Sequence, residues 1–140
     1  MINTKIYKAV YGLSEKLMAA ANKNDQKAFD RLYDELKALC LEHQNSNKDH
    51  PEQWETLADF TEDLSDAVLI YQKALDKATA INSKDHMSSI GYSRAKLQIE
   101  LNRTGEAIKN LQAAKISANK IEDKELKAEI DELLASSLIA

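Results

Sequence analysis

The chain predicts an all-α fold built from antiparallel helix pairs stacked as repeats. Three observations carry this. Three Gly and one Pro among 140 residues leave few of the turn signals that punctuate sheets, and good helix formers dominate. Apolar residues return with a 3.6-residue period, the signature of one buried helix face. Residues 66–85 (DAVLIYQKALDKATAINSKD) and 106–125 (EAIKNLQAAKISANKIEDKE) are two copies of one pattern, 40 residues apart. Ala67, Gln72, Ala74, Ala78, Ile81 and Lys84 are matched by Ala107, Gln112, Ala114, Ala118, Ile121 and Lys124. A fixed period of that size points to stacked helical units, which mostly build binding surfaces.

The first helix is expected over Asn3–Asn22, where Ile6, Val10, Leu13, Leu17 and Ala20 form one stripe. Asn24 or Asp25 can cap the second, expected over Asp25–His43 with Phe29, Leu32, Leu36 and Leu39 inward. Gln44–Asp49 reads as a loop. Pro51 suits a first helical turn, with Asp49 or His50 as its cap. The stretch Glu52–Ile81 reads as one long helix or two. A break near Glu62-Asp63, with Ser65 close to a cap, suits the repeat better. The helix after it carries Ala67, Tyr71, Ala74, Ala78 and Ile81 inward, and Asn82–Asp85 forms a capped turn. A fifth helix is expected over Asp85–Leu101. Asn102–Gly105 closes it, and Thr104 is expected to cap a sixth, running to Lys120 with Ala107, Leu111, Ala114, Ala118 and Ile121 inward. Glu122-Asp123 opens the last helix, where acids suit the positive dipole end and Leu126, Ile130, Leu133 and Leu134 face the core. Seven helices make three antiparallel pairs plus a terminal helix that covers the last pair's apolar side.

Ala67-x3-Tyr71-x2-Ala74 and Ala107-x3-Leu111-x2-Ala114 resemble the second-helix signature of tetratricopeptide (TPR) repeats, and Trp54-x2-Leu57-Ala58 resembles the first. Ala95 falls at the small first-helix position, and the match around Ala28 and Leu32 is fainter. The period near 40 exceeds the family's usual 34, and neither copy carries the usual closing proline. The spacing from Ala58 to Ala67 also implies a short third helix. The resemblance covers residues 50–121 best and 3–44 loosely. It implies a short right-handed α-solenoid of about three repeats plus a C-terminal capping helix. The first helices of such an array line a groove for a peptide or partner helix. The family's chaperone-binding carboxylate clamp would fall here at Ser89 and Ser93. Neither is basic, so the clamp is not carried over. Helical-repeat families with periods of 40–47 residues remain the alternative fold.

Charge and motifs narrow the function. The net charge of −4 argues against nucleic-acid binding, where a basic face supplies affinity. No apolar run suffices to cross a bilayer, Lys5, Lys8, Glu15 and Lys16 interrupt any N-terminal leader, and the single Cys suits a reducing compartment. A cytoplasmic location is expected. Cys40, Glu42, His43 and His50 are neighbours in sequence but lack paired zinc-ligand spacing, so Cys40 reads as a buried structural residue and the two histidines as surface ones. His86 stands alone. No nucleophile triad, phosphate loop or HExxH occurs. A non-enzymatic chain without cofactor or metal is expected.

Two surfaces are candidates for partner binding. Residues 49–72 hold seven acids and no Lys or Arg. Among them Glu52, Glu55, Asp59, Glu62 and Asp66 share one face if the helix is continuous, and stay clustered if it breaks. Like charges at this spacing repel, so the strip reads either as a solvated face or as a docking surface for a basic partner. The second candidate is the fifth helix, apolar on two sides and therefore sandwiched, or presenting Tyr92 and Ile99 to an open groove with Arg94, Lys96 and Glu100 as polar contacts. Tyr7 and Tyr11, one turn apart on the first helix, either play the same role at the far end or pack on the second helix. Leu138 and Ile139 read as a homodimer contact or as a frayed end. A protein-binding module is thus expected, with a structural homodimer or a helical bundle housing a ligand or active site as alternatives.

Overall fold

The computed structural model describes residues 2–139, and among them the chain forms seven helices. They are α1 (Thr4–Asn22), α2 (Gln26–Glu42), α3 (Pro51–Asp59), α4 (Leu64–Ala80), α5 (Lys84–Glu100), α6 (Thr104–Ala118) and α7 (Lys124–Leu138). The stretch from Glu52 to Ile81 is two helices, and α3 is short, at nine residues.

The connections explain the boundaries. Asn24, Asn82 and Asn102 take positive φ (54°, 53° and 60°), a region that asparagine tolerates better than most residues. Each ends a helix in the same way. The N–H one residue further on reaches back to the third carbonyl from the helix end: Asp25 to Ala20 at 2.9 Å, Ser83 to Ala78 at 2.9 Å and Arg103 to Gln98 at 2.7 Å. This is the Schellman closure. The residue after the asparagine then starts the next helix. Asp25 accepts from the Ala28 N–H and Ser83 from the His86 N–H. Arg103 has no capping oxygen, and Thr104 lies inside α6 rather than capping it. The cap of α4 is Asp63, not Ser65, because the chain leaves helical geometry at Phe60 and the Asp63 carboxylate accepts from the Asp66 N–H. His50 caps α3 through Nδ1, with Pro51 at the first helical position.

Each helix packs against the next in sequence. In addition the backbone of α1 comes close to α3, α3 to α5 and α5 to α7, whereas the backbones of α2, α4 and α6 stay further apart from one another. Two apolar clusters fill the interior. The first joins Val10, Leu17, Leu36, Trp54, Leu57, Tyr71, Ala74 and Ile90. The second joins Ala95, Ala107, Leu111, Ala114, Ala118 and Ile130. Because Ile90 belongs to one and Ala95 to the other, α5 is buried on two sides, as its double stripe predicts.

The two copies of the repeat behave alike at four of five positions. Ala67, Tyr71, Ala74 and Ala78 are buried, as are Ala107, Leu111, Ala114 and Ala118. They part at the end, where Ile121 is buried and Ile81 is 52% exposed. Ile81 is the last residue before the Asn82 turn, whereas α6 stops at Ala118 and the following coil folds Ile121 inward.

The loop before α3 is pinned by Asp49. Its carboxylate accepts from Lys77 at 2.6 Å, the Trp54 indole N–H at 2.7 Å and the Asn45 N–H at 2.8 Å. Burial opposes its ionisation, but these three donors outweigh that and hold the carboxyl below the usual aspartate range. Lys73 lies 4.1 Å over the Trp54 ring.

Helices α5 and α6 approach closely at Gly91. A Cβ placed on Gly91 would meet Ala114 Cβ at 3.0 Å. Gly91→Ala should therefore cost about 1–3 kcal/mol by overpacking, although alanine is the better helix former. Adding Ala114→Gly should recover part of the loss. Urea denaturation of the two single variants and the double variant measures this, with an expected coupling of at least ~0.5 kcal/mol. Strictly additive losses would show that the contact does not set the helix spacing.

Candidate functional site

A polar recess lies between α3 and α5. On α3, Glu52, Glu55 and Asp59 follow at steps of three and four, so their carboxylates share one flank. On α5, His86, Ser89, Ser93 and Lys96 follow the same steps. The two flanks face each other. His86 Nδ1 lies 3.1 Å from Glu55 Oε1, and His86 Nε2 lies 3.6 Å from Glu52 Oε2. The Ser89 hydroxyl donates to Glu55 Oε2 at 2.5 Å. The Tyr71 hydroxyl, reaching over from α4, donates to Asp59 Oδ1 at 2.5 Å. The His50 ring meets the His86 ring edge-on at 5.3 Å.

The electrostatics follow from this crowding. Its bond to Glu55 raises the His86 pKa against the effect of burial, with Glu52 and Asp85 adding to the rise. Burial, followed by the neighbouring His86 charge, pushes His50 down to about 4. The two imidazoles are thus shifted in opposite directions, and the Nδ1 of His50 is already engaged by the Glu52 N–H at 3.1 Å. Burial and then the Glu55 charge raise Glu52, with His86 opposing. Asp59 is pushed up to about 6, first by desolvation of its carboxyl and further by Glu55 and Glu52, against the Tyr71 hydrogen bond and the Lys96 charge. The residue as a whole stays exposed, so solvent screens part of this effect.

The predicted acidic strip is divided. Glu52, Glu55 and Asp59 line the recess. The break at Phe60–Asp63 turns the other two away. Glu62 accepts from the Gln26 side-chain amide of α2 at 3.0 Å and borders a shallow cavity with Ala20, Asn24 and Phe29. Asp66 borders a groove of about 430 Å³ between α2 and α4, with Tyr33, Lys37, Trp54, Leu69 and Lys73 among its walls. A continuous carboxylate face would need an unbroken helix.

The α5 candidates are divided as well. Tyr92 faces α7 beside Glu129, Glu132 and Leu133, with Lys96 Nζ 4.7 Å over its ring. Ile99 packs on the second apolar cluster. Arg94 points the other way, into a cleft with Leu75, Gln98, Glu106 and Asn110, where its Nε is enclosed without a hydrogen-bond partner. Tyr7 and Tyr11 are exposed and stack on each other at 6.4 Å. Leu138 and Ile139 are exposed at the end of α7.

Cys40 is wholly buried and its thiol donates to the Gln53 carbonyl at 3.4 Å. Burial, with the Asp49 charge, pushes it up to about 12, so it stays protonated. His43 and His50 are half-buried rather than fully at the surface. The metal-ligating grouping that the fold does assemble is Glu52, Glu55 and His86, with one donor atom from each lying within 4.8 Å of the others. His86, Ser89 and Tyr71 escape a sequence reading that works helix by helix.

The chain matches no family model, no curated protein and no solved structure. Among the described residues, no helix is long and apolar enough to cross a membrane.

Asp59 provides a test of the electrostatics. Its folded pKa is about 6 against 3.8 for an unperturbed aspartate. A raised pKa means that the protonated carboxyl favours the folded state. That contribution is complete below the unfolded pKa and is lost as pH rises through the folded one. Asp59→Asn retains an acceptor for Tyr71 and removes the charge. It should melt above the wild type at about pH 7.5 and level with it at about pH 4 in scanning calorimetry. An equal gain at both values would assign the effect to something other than the buried charge.

Proposed function

We propose that this chain is a non-enzymatic protein-binding module of TPR-like architecture. In this reading the odd-numbered helices line the inner side of a short right-handed stack of about three pairs, with α7 covering the last. The observation that carries it is the asymmetry of the spacing: the backbones of odd helices come close to one another while those of even helices stay further apart. An array that curves brings its inner helices together and spreads its outer ones. A further observation supports the family resemblance. Ser89, which the resemblance places in the groove, lies on the α5 flank toward α3.

The partner segment would lie along α3 and α5. Glu55 and Asp59 would meet a basic side chain, and Tyr92 with Lys96 would supply an aromatic and a cationic contact further along. The recess carries more carboxylates than cations, so complementary charge would speed encounter and fix register. This work suits a cytoplasmic adaptor or scaffold.

Affinity capture from native lysate by the wild-type chain, followed by mass spectrometry, identifies the partner. Measured against that partner, Glu55→Lys with Asp59→Lys should weaken binding by about 10-fold or more. Glu62→Lys with Asp66→Lys, which lie off this face, should leave it within about 2-fold. Equal effects of the two pairs would remove the recess as the binding surface. The exposed Leu138 and Ile139 favour a second reading, self-association through α7. Light scattering of the purified protein distinguishes it from a monomeric adaptor.

A further inference from the structure

We propose that Glu52, Glu55 and His86 form a binding site for a first-row divalent transition ion, with zinc as its natural probe. The site lies at the end of the recess formed by the first turns of α3 and α5. It does not depend on the protein-binding reading.

The donors come from two helices, each fixed by its own cap. His50 caps α3 two residues before Glu52, and Ser83 caps α5 three residues before His86. The separations suit a shared ion. Two ligands bound at about 2.1 Å with a near-tetrahedral angle lie about 3.4 Å apart, and His86 Nε2 is 3.6 Å from Glu52 Oε2. Glu55 contributes a third donor, the group spanning 4.8 Å at most. To join the ion, Glu55 would give up its contact with His86 Nδ1, now 3.1 Å away. All three residues are half-buried, so water occupies the remaining coordination positions and the ion has a path of entry.

Around the donors are the groups that a metal centre uses to orient its ligands. The Ser89 hydroxyl holds the far oxygen of Glu55. The His50 ring packs against His86 and is itself engaged through Nδ1. The charge also favours a cation. Glu52, Glu55 and Asp85 all act on His86, and Lys96 acts further along, on Asp59.

The ligand set selects the ion class. One imidazole with two carboxylates suits zinc and its first-row neighbours, whereas magnesium and calcium take oxygen ligands only. Cys40, the single thiol, is buried against the Gln53 carbonyl, away from the recess. The ion would leave Asp59, Ser93 and Lys96 free but would share Glu55 with a partner, so the two activities are separated by variants at His86, which the partner reading does not use.

The test is isothermal titration of the full metal-free chain with zinc chloride, alongside cobalt(II) titration followed by visible absorption. The wild type should take one equivalent, with excess magnesium failing to compete. His86→Ala and the pair Glu52→Gln with Glu55→Gln should each lose at least about 10-fold in affinity, and the cobalt bands should disappear. Cys40→Ser should bind as the wild type does. Circular dichroism checks that each variant is folded. Ser89→Ala removes only the hydroxyl that holds Glu55, and should weaken zinc several-fold even if His86→Ala does not fold. No stoichiometric uptake by the wild type, or undiminished binding by folded His86→Ala or by Ser89→Ala, would overturn the site. Partner capture retained in a His86 variant that has lost zinc leaves the protein-binding reading standing by itself.

Discussion

The close approach of α5 to α6 fixes where every polar group of the recess ends up. Gly91 leaves room for Ala114, with no space for a side chain between them. Ala95, Ala107 and Ser88 continue the contact, all fully buried. Ser88 turns its hydroxyl back to the Lys84 carbonyl and so needs no partner across the interface. Asn110 donates to Gln98 at 3.2 Å in the same buried layer. That bond sets the register, because displacing it would leave two amides without partners in a dry environment. With α5 seated in this way, its remaining sides lie against α4 and, at the recess, α3. Small residues thus act at a distance: they hold His86 and Ser89 opposite Glu52 and Glu55.

A second constraint works from the opposite side. The helix α3 is short and has little area of its own to bury, so the loop before it must be held. Asp49 does this by gathering an ammonium, an indole N–H and a backbone N–H on one carboxylate. Lys77 and Lys73 in turn lie over the Trp54 ring, which joins α3 to α4 by both charge and packing. Removing one partner from such an enclosed pair leaves the other charge exposed to the full cost of burial. The carboxylates on the flank of α3 toward α5 can crowd together because the rest of the helix is held this firmly.

The recess concentrates charge. Three carboxylates on α3 face an imidazole of raised pKa on α5. A sequence optimised only for folding would place lysines there. Local repulsion that persists inside an otherwise well-capped helical array is the kind of inconsistency that marks a working surface. Both proposals drawn from it, a basic partner and a divalent ion, rest on the same excess of negative charge. They share Glu55 and diverge from it, the ion toward Glu52 and His86 and the partner toward Asp59 and Lys96.

Much of the fold was legible in the residues. The 3.6-residue stripes placed Ile6, Val10 and Leu17 inside, the paired alanines marked α4 and α6 as repeats of one another, and the Asn–Asp, Asn–Ser and Asn–Arg turns announced three of the connections. Those signals are local, because a helix face and a left-handed asparagine depend on residues within one or two turns. The site was legible only in part. Glu52, Glu55 and Asp59 stood out as charge, but His86 read as an isolated histidine, and Arg94 and Tyr92 read as neighbours although they face opposite ways around α5. Which residues meet across two helices depends on crossing geometry and register, and these are set by the packing of Gly91 on Ala114 and the break at Phe60. Sequence fixes the faces of each helix. Only the packed array decides which faces meet, because that choice is made by contacts between residues tens of positions apart.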